Sequence, residues 1–501
     1  MSTCPIFPLE IFDLIIRNLE DVSVRTYPFP CTSPSLSTLC ACSLVCRSFV
    51  SLCRPGLFRD VEVGPTASES RWKLAQLLIE KPELSRYIRR LSYHRTTPSI
   101  PPVDADIAGL LPILQLPNVN TLIVHTDQSN PQTRIRYYDD HGFRKFFDHH
   151  LSSGKITSLY LHGLLGAPAF QILTSPNLKT LIADSVIFSQ WSSIFPHGRV
   201  NPSAITSKLQ NISLRETEFE LTALSYLTHL QHISFGSGLP AFLNLTLQTC
   251  QDNALCFRAL HTLAVDTDLN PVLAICSAAK RAGIVAFPVV GSLYINLDPS
   301  RSGDLADVTP WALWYHLPAL ESVNIRLPIT RASVRAYCLL RLDHCLRMCK
   351  KSLKRLRIQA HVSDPGHIRD VIQPLFYSLG LARGDNAIEV IDIKFFISNQ
   401  NDNDNDNNAT GGLWDLKMAR YHVALFGWLL VLVRDRSHKG FRALRKVVVK
   451  MSVDARSGES DEGWVRMAEK YQEYISSCLA RMPDARRYPF FEWKVESRRL
   501  S

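Results

Sequence analysis

The chain has 501 residues, 46% hydrophobic and 20% charged, with 56 Lys and Arg against 46 Asp and Glu for a net charge of +10. That length supports two or more domains around a large buried core, and the composition excludes a mainly disordered chain. The opening MSTCPIFPLEIFDLIIRNLE has no basic leader, and Glu10, Asp13 and Arg17 interrupt its apolar positions, so no secretory signal is expected. The longest apolar run, His422 to Val433, is too short for a bilayer and is expected as a buried helix, which points to an intracellular protein, cytoplasmic or nuclear. Thirteen cysteines at irregular spacing then imply free thiols packed as small hydrophobes.

In FPLEIFDLIIRNLE the residues Ile11, Leu14, Ile15, Ile16 and Leu19 recur at helical steps, with Pro8 where a first turn accepts proline. A Pro/Ser/Thr-rich loop (Val24 to Ser35) follows. Leu39, Cys42, Cys46, Phe49 and Cys53 are then expected on one helical face, widened by Leu44, Val45 and Leu52. A module of about fifty residues cannot bury this much apolar surface alone, so a partner or a second domain must cover the rest. Cys31, Cys40, Cys42, Cys46 and Cys53 contain no C-x-x-C pair and have no histidine nearby, so packing is expected and no zinc, redox site or cofactor.

FPLEIFDLIIRNL followed by LCACSLVCRSF resembles an F-box, the helical module that docks on the Skp-type adaptor of SCF ubiquitin ligases, and PGLFRDVEV resembles the extension common after fungal F-boxes. The resemblance implies a docking face of Pro8, Leu9, Ile11, Phe12, Ile15, Leu19, Leu44, Val45, Cys46 and Phe49, and through the adaptor a cullin. Phe7 stands where the family usually has leucine, Phe49 where it has tryptophan, and the loop from Glu20 to Leu36 is long. Phenylalanine fills an apolar pocket without the indole N–H bond.

Beyond this module the pattern apolar-x-x-apolar-x-apolar recurs twelve times: IRRLSY at 88, VNTLIV at 119, ITSLYL at 156, LKTLIA at 178, LQNISL at 209, LQHISF at 230, LHTLAV at 260, VGSLYI at 290, LESVNI at 320, LKRLRI at 353, IEVIDI at 388 and LRKVVV at 444. Each predicts a short strand. Starts mostly 21 to 37 residues apart resemble leucine-rich repeats, which stack strands in one parallel sheet. The asparagine of LxxLxLxxN is mostly absent, with Asp184-Ser185 and Asp266-Thr267 in its place, so the resemblance is to degenerate repeats; an ordinary α/β domain is the alternative.

Ser398 to Gly412 is expected as a disordered polar insertion, because Asn407 and Leu413 stand where a calcium loop needs glycine and glutamate. Trp464, Met467, Ala468, Tyr471, Ile475 and Leu479 share a helical face in the segment 462–483, which Pro483 ends, and a capping helix is expected there. The tail RRYPFFEWKVESRRLS is expected to pack back on the end or to form a small binding patch. No phosphate loop, nucleophile elbow, HExxH or dinucleotide fingerprint occurs. His149-His150 and the group His344, Cys345 and Cys349 come nearest to metal-ligand clusters, and both are expected as packing; the basic residues are scattered enough to suggest a solvated face.

The expected architecture is therefore α/β: a short N-terminal helical F-box-like module (1–63), an irregular leucine-rich-repeat-like solenoid of parallel strands plus helices (64–455), and a C-terminal capping helix and tail (456–501). The function implied is a non-enzymatic substrate-recognition adaptor of an SCF-type ubiquitin ligase, holding a Skp-type adaptor at one end and an unknown target protein on the repeats. The alternatives are a repeat scaffold outside ubiquitin transfer and a nucleic-acid-binding protein that uses the positive charge.

Overall fold

In all twelve segments the first, fourth and sixth residues are buried, from Ile88, Leu91 and Tyr93 to Leu444, Val447 and Val449. Each segment holds a strand that begins at its third residue. Alternation sends the fourth and sixth side chains to one face and the third and fifth to the other, so the six-residue pattern is a strand with one dry side. The computed structural model describes residues 12, 14–16, 34–45, 47–63, 68–95, 111–126, 135–139, 141–189, 207–236, 256–267, 269–297, 311–329, 342–362, 377–379, 386–398, 443–455, 469, 473, 477 and 491–499. The chain divides into one unit of residues 1–209 with 217–219 and a second of 210–216 with 220–501.

In the first unit, β1 (Asp60–Val63), β2 (Arg90–Arg95), β3 (Thr121–Thr126), β5 (Ser158–His162) and β7 (Thr180–Asp184) pair in parallel in that order. A second parallel set joins β4 (Ile135–Arg136), β6 (Leu164–Ala167) and β8 (Ile187–Phe188). Over the dry face lies the helix His141–Ser152, whose Phe143, Phe146, Phe147, His150 and Leu151 are buried at helical spacing. The ring of Tyr93 on β2 meets Phe143 at 5.0 Å and Phe146 at 5.5 Å. Tyr137 anchors the loop after β4 to this helix by donating its hydroxyl to Asp148, which also pairs with Arg144 at 3.6 Å.

The second unit carries β9 (Asn211–Arg215), β10 (His232–Phe235), β11 (Thr262–Thr267), β12 (Ser292–Leu297), β13 (Ser322–Ile329), β14 (Arg355–Val362), β15 (Val390–Ser398), β16 (Lys446–Ala455) and β17 (Phe491–Arg499). These pair in parallel, each with the next. Third residues face third residues throughout, as in Thr262↔Ser292 and Ser322↔Arg355, so equivalent positions stack into rows. The helix Asn270–Arg281 buries Val272, Leu273, Ile275 and Cys276, and Leu342–Met348 buries Leu342, Cys345 and Leu346. Parallel strands taken in chain order, each followed by a return segment, are the arrangement of a leucine-rich-repeat-like solenoid.

One backbone contact recurs between consecutive segments within each unit. The N–H groups of the second and third residues of a segment both donate to the carbonyl of the preceding segment's second residue, as in Asn120 and Thr121 to Arg89, or Lys354 and Arg355 to Glu321. A carbonyl has two lone pairs, so one acceptor satisfies two donors that would otherwise be orphaned at the strand start.

Two expectations are revised. The continuous helical face from Leu39 to Cys53 is broken: helices Pro34–Ser43 and Arg47–Leu57 are separated by a turn, with Leu44 N–H on Ala41 O and Val45 N–H on Cys42 O, both at 3.1 Å. The end of the N-terminal segment expected as helical supplies a strand, β1, the edge partner of β2. The C-terminal tail, expected to pack back on the end or to form a small patch, packs on the end as β17, which extends the sheet beyond β16. Of the expected capping helix, only Glu469, Glu473 and Ser477 are described, each helical and exposed. The polar insertion after Ser398 and the apolar run 422–433 lie outside the described residues, among which no helix is long and apolar enough to cross a membrane.

Gly163, between β5 and β6, has φ +69°, and a Cβ there would lie 1.9 Å from Thr126 Oγ1. Gly283, after the helix Asn270–Arg281, has φ +67° with nothing within 4 Å of a Cβ. Gly283→Ala should therefore cost only the left-handed backbone strain, about 1–2 kcal/mol, and Gly163→Ala distinctly more because strain and clash add. Urea unfolding midpoints of the two variants check the order.

Candidate functional site

The N-terminal module closes a small core on Ile16, Leu39 and Cys53, with Cys42, Leu52 and Leu57 packed against it. Phe12 and Phe49, expected on one docking face, meet edge to face at 4.8 Å. The neighbouring apolar residues point outward. Leu14 is 61% exposed, Ile15 48%, Leu44 86% and Val45 71%. The turn explains the last pair: with the helix interrupted at Ser43, Leu44 and Val45 leave the face that Leu39 and Cys42 share and stand at the corner. Of the expected docking residues, Phe12, Ile15, Leu44, Val45 and Phe49 are therefore at least partly accessible, and Pro8, Leu9, Ile11, Leu19 and Cys46 lie outside the described residues.

The thiols divide by position. Cys53 is fully buried and Cys42 lines the core, whereas Cys40 is exposed. Among the described residues no group of three or more His, Cys, Asp or Glu could hold a metal. His149 and His150 separate, since His149 Nε2 reaches Leu114 O at 2.8 Å while His150 turns inward. Cys345 is buried with its thiol pushed up by desolvation, and Cys349 Sγ donates to Leu317 O at 3.5 Å.

The sheet rows carry a second set of polar groups, which the sequence reading missed. His94, His125 and His162 line up across β2, β3 and β5 with successive imidazole rings 4.8 Å apart, and Glu62 of β1, in register with Ser92, reaches diagonally to put Oε1 3.0 Å from His94 Nδ1. The signal was present as periodicity, because each histidine is the residue just after its six-residue segment. In the second unit the equivalent row holds Asp266, Asn296, Arg326, Gln359, Lys394 and Lys450.

Strongly shifted titratable groups belong to the core. Burial, followed by the charges of His149 and Lys155, lowers the His150 pKa from 6.5 to about 4, and burial raises Cys276 to about 12. Tyr137 is raised by burial and then by Asp148. Such shifts mark groups held neutral by packing.

No family model matches the chain, and no curated protein matches it. Eighteen chains of solved structures match. One is an internalin (inlF) from Listeria monocytogenes, 12% identical, in a match that covers 78% of this chain and 90% of that one at a TM-score of 0.28. A likeness at that score carries no argument; the fold assignment rests on strand order and register.

For His150 the folded pKa lies below the unfolded one, so its contribution to stability is complete above pH 6.5 and is lost as pH falls towards 4. The shift corresponds to about 3 kcal/mol. His150→Leu should flatten the fall of the urea midpoint across that window relative to the wild-type chain.

Proposed function

We propose that the chain is the substrate-recognition adaptor of an SCF-type ubiquitin ligase, docking a Skp-type adaptor through its N-terminal module and a target protein on its repeats. The observation that carries this reading is the exposure of Leu14, Ile15, Leu44 and Val45 on a module whose own core is already closed by Ile16, Leu39 and Cys53. Large apolar side chains left out of a satisfied core are what a helical docking partner covers. Phe12 and Phe49, both from the F-box-like half-motifs, meet within the same module and support the pairing of those motifs. In this role the chain supplies no chemistry. It raises the effective concentration of target lysines near the transferring enzyme, a gain of proximity.

The test is capture of purified Skp-type adaptor by the full chain beside Leu44→Asp/Val45→Asp. Apolar burial of about 1.5–3 kcal/mol per side chain would be lost on docking, so affinity should fall by at least about a hundredfold. At such exposed positions each change should alter folding stability by only about 0.5 kcal/mol. A folded wild-type chain that captures no adaptor would overturn the reading and leave a repeat scaffold.

A further inference from the structure

We infer that Arg326 and His361, on the outward face of β13 and β14, form a proton-operated clamp: neutral His361 holds the Arg326 guanidinium, and protonated His361 releases it. Such a clamp belongs to the repeats alone and operates whether or not the N-terminal module docks an adaptor. Arg326 Nε donates to His361 Nε2 at 3.0 Å. A guanidinium keeps its charge and can only donate, so this bond exists only while Nε2 carries its lone pair and the ring proton sits on Nδ1. A proton on Nε2 would set N–H against N–H and one cation against another. Arg326 and a proton therefore compete for one lone pair, and each weakens the hold of the other.

The neighbouring side chains decide which partner moves. His361 stacks on Phe396, its register neighbour on β15, with ring centroids 4.5 Å apart and planes at 12°. That stack fixes the ring and survives protonation, because an aromatic face attracts a cation. Arg326 is exposed, and its side chain makes no other hydrogen bond or ion pair among the described residues, so it is the part that leaves.

The charges nearest the ring favour its neutral form. From β13 it meets Arg326, from β15 Phe396 in register and Lys394 on the diagonal, and on β14 itself Gln359. The acids stand farther off. Asp392, two rows away, is held by Arg357 Nε at 2.8 Å, and Asp266, two strands from Arg326, is held by Asn296. Glu496 shares the His361 row but lies three strands across, about 14 Å. Burial, followed by the Arg326 charge, lowers the His361 pKa from 6.5. With the folded value below the unfolded one, the clamp is complete above pH 6.5 and opens as pH falls through the folded value. Opening leaves a mobile guanidinium beside an imidazolium where neutral pH shows one fixed cation.

The experiment follows carbethoxylation of His361 by diethyl pyrocarbonate in the full chain, between about pH 5 and about pH 8, mapped by mass spectrometry; only the neutral imidazole reacts. The midpoint should lie below 6.5 in the wild-type chain. It should move up in Arg326→Gln, which removes both the charge and the donor, and reaction at the alkaline end should be faster because Nε2 is no longer engaged. His141, exposed in the first unit, should react alike in both chains and controls for the reagent. Should the glutamine variant not fold, Arg326→Lys keeps the charge and removes the Nε–H, and the faster alkaline reaction alone reads the broken bond. Release of Arg326 is read by a double-mutant cycle of Arg326→Gln and His361→Phe on urea midpoints, since phenylalanine keeps the stack and removes the acceptor. Coupling should stabilise the chain at about pH 8 and vanish or change sign at about pH 5. A midpoint at or above 6.5, a midpoint that Arg326→Gln leaves in place, or equal coupling at both pH values would overturn the clamp.

Discussion

Both units are organised by a carbonyl that serves two N–H groups at the start of β2, β3, β5 and β7 and of each strand from β10 to β16. In the first unit Arg59, Arg89, Asn120 and Thr157 supply it, and in the second Gln210, Gln231, His261, Gly291, Glu321, Lys354 and Glu389. These residues are polar apart from Gly291, but no particular side chain recurs, because the bond is made by backbone alone. An unpaired buried N–H is costly, and satisfying two of them with one acceptor fixes both the spacing and the register of the next strand. This is how the strands hold their register with the asparagine of LxxLxLxxN mostly absent: the backbone contact asks nothing of the side chain.

Fixed register separates the two faces of the sheet chemically. Inward columns repeat apolar residues, such as Leu91, Leu122, Leu159 and Leu181, since each must close against its neighbours at interior packing density. Outward rows are under no such demand and differ from place to place: stacked histidines in the first unit, cations with aromatics in the second. The N-terminal module works differently. Its core is too small to absorb every apolar residue, and the turn at Leu44 and Val45 places the surplus outside.

The sequence made the buried columns legible because apolar spacing is what a strand with one dry face requires, and all twelve segments hold a strand. It hid β1 and β17, whose segments DVEV and FEWKVESRR lack the full apolar pattern and are placed as strands by partners already in the sheet. It also hid the two-residue strands β4 and β8, which are too short to show any period. At the candidate site, residue types pointed to Leu44 and Val45, yet helical periodicity put them on the face of Cys42 and Cys53; only the turn shows that they leave it. The histidine and lysine rows went unnoticed because their members lie 31 to 56 residues apart in sequence, and nothing but register brings them together.

The pairing of β15 with β16 runs unshifted from Val390↔Lys446 to Ser398↔Asp454, although residues 399–445 intervene in the chain. Closing a longer connection costs only about 0.6 kcal/mol for each doubling of its length, and the strand-to-strand bonds do not depend on what lies between. Connection length is thus a nearly neutral variable in this architecture. New material can be accommodated between two coils while every existing row stays in place, so a binding surface built on the rows can persist while the return segments are rewritten.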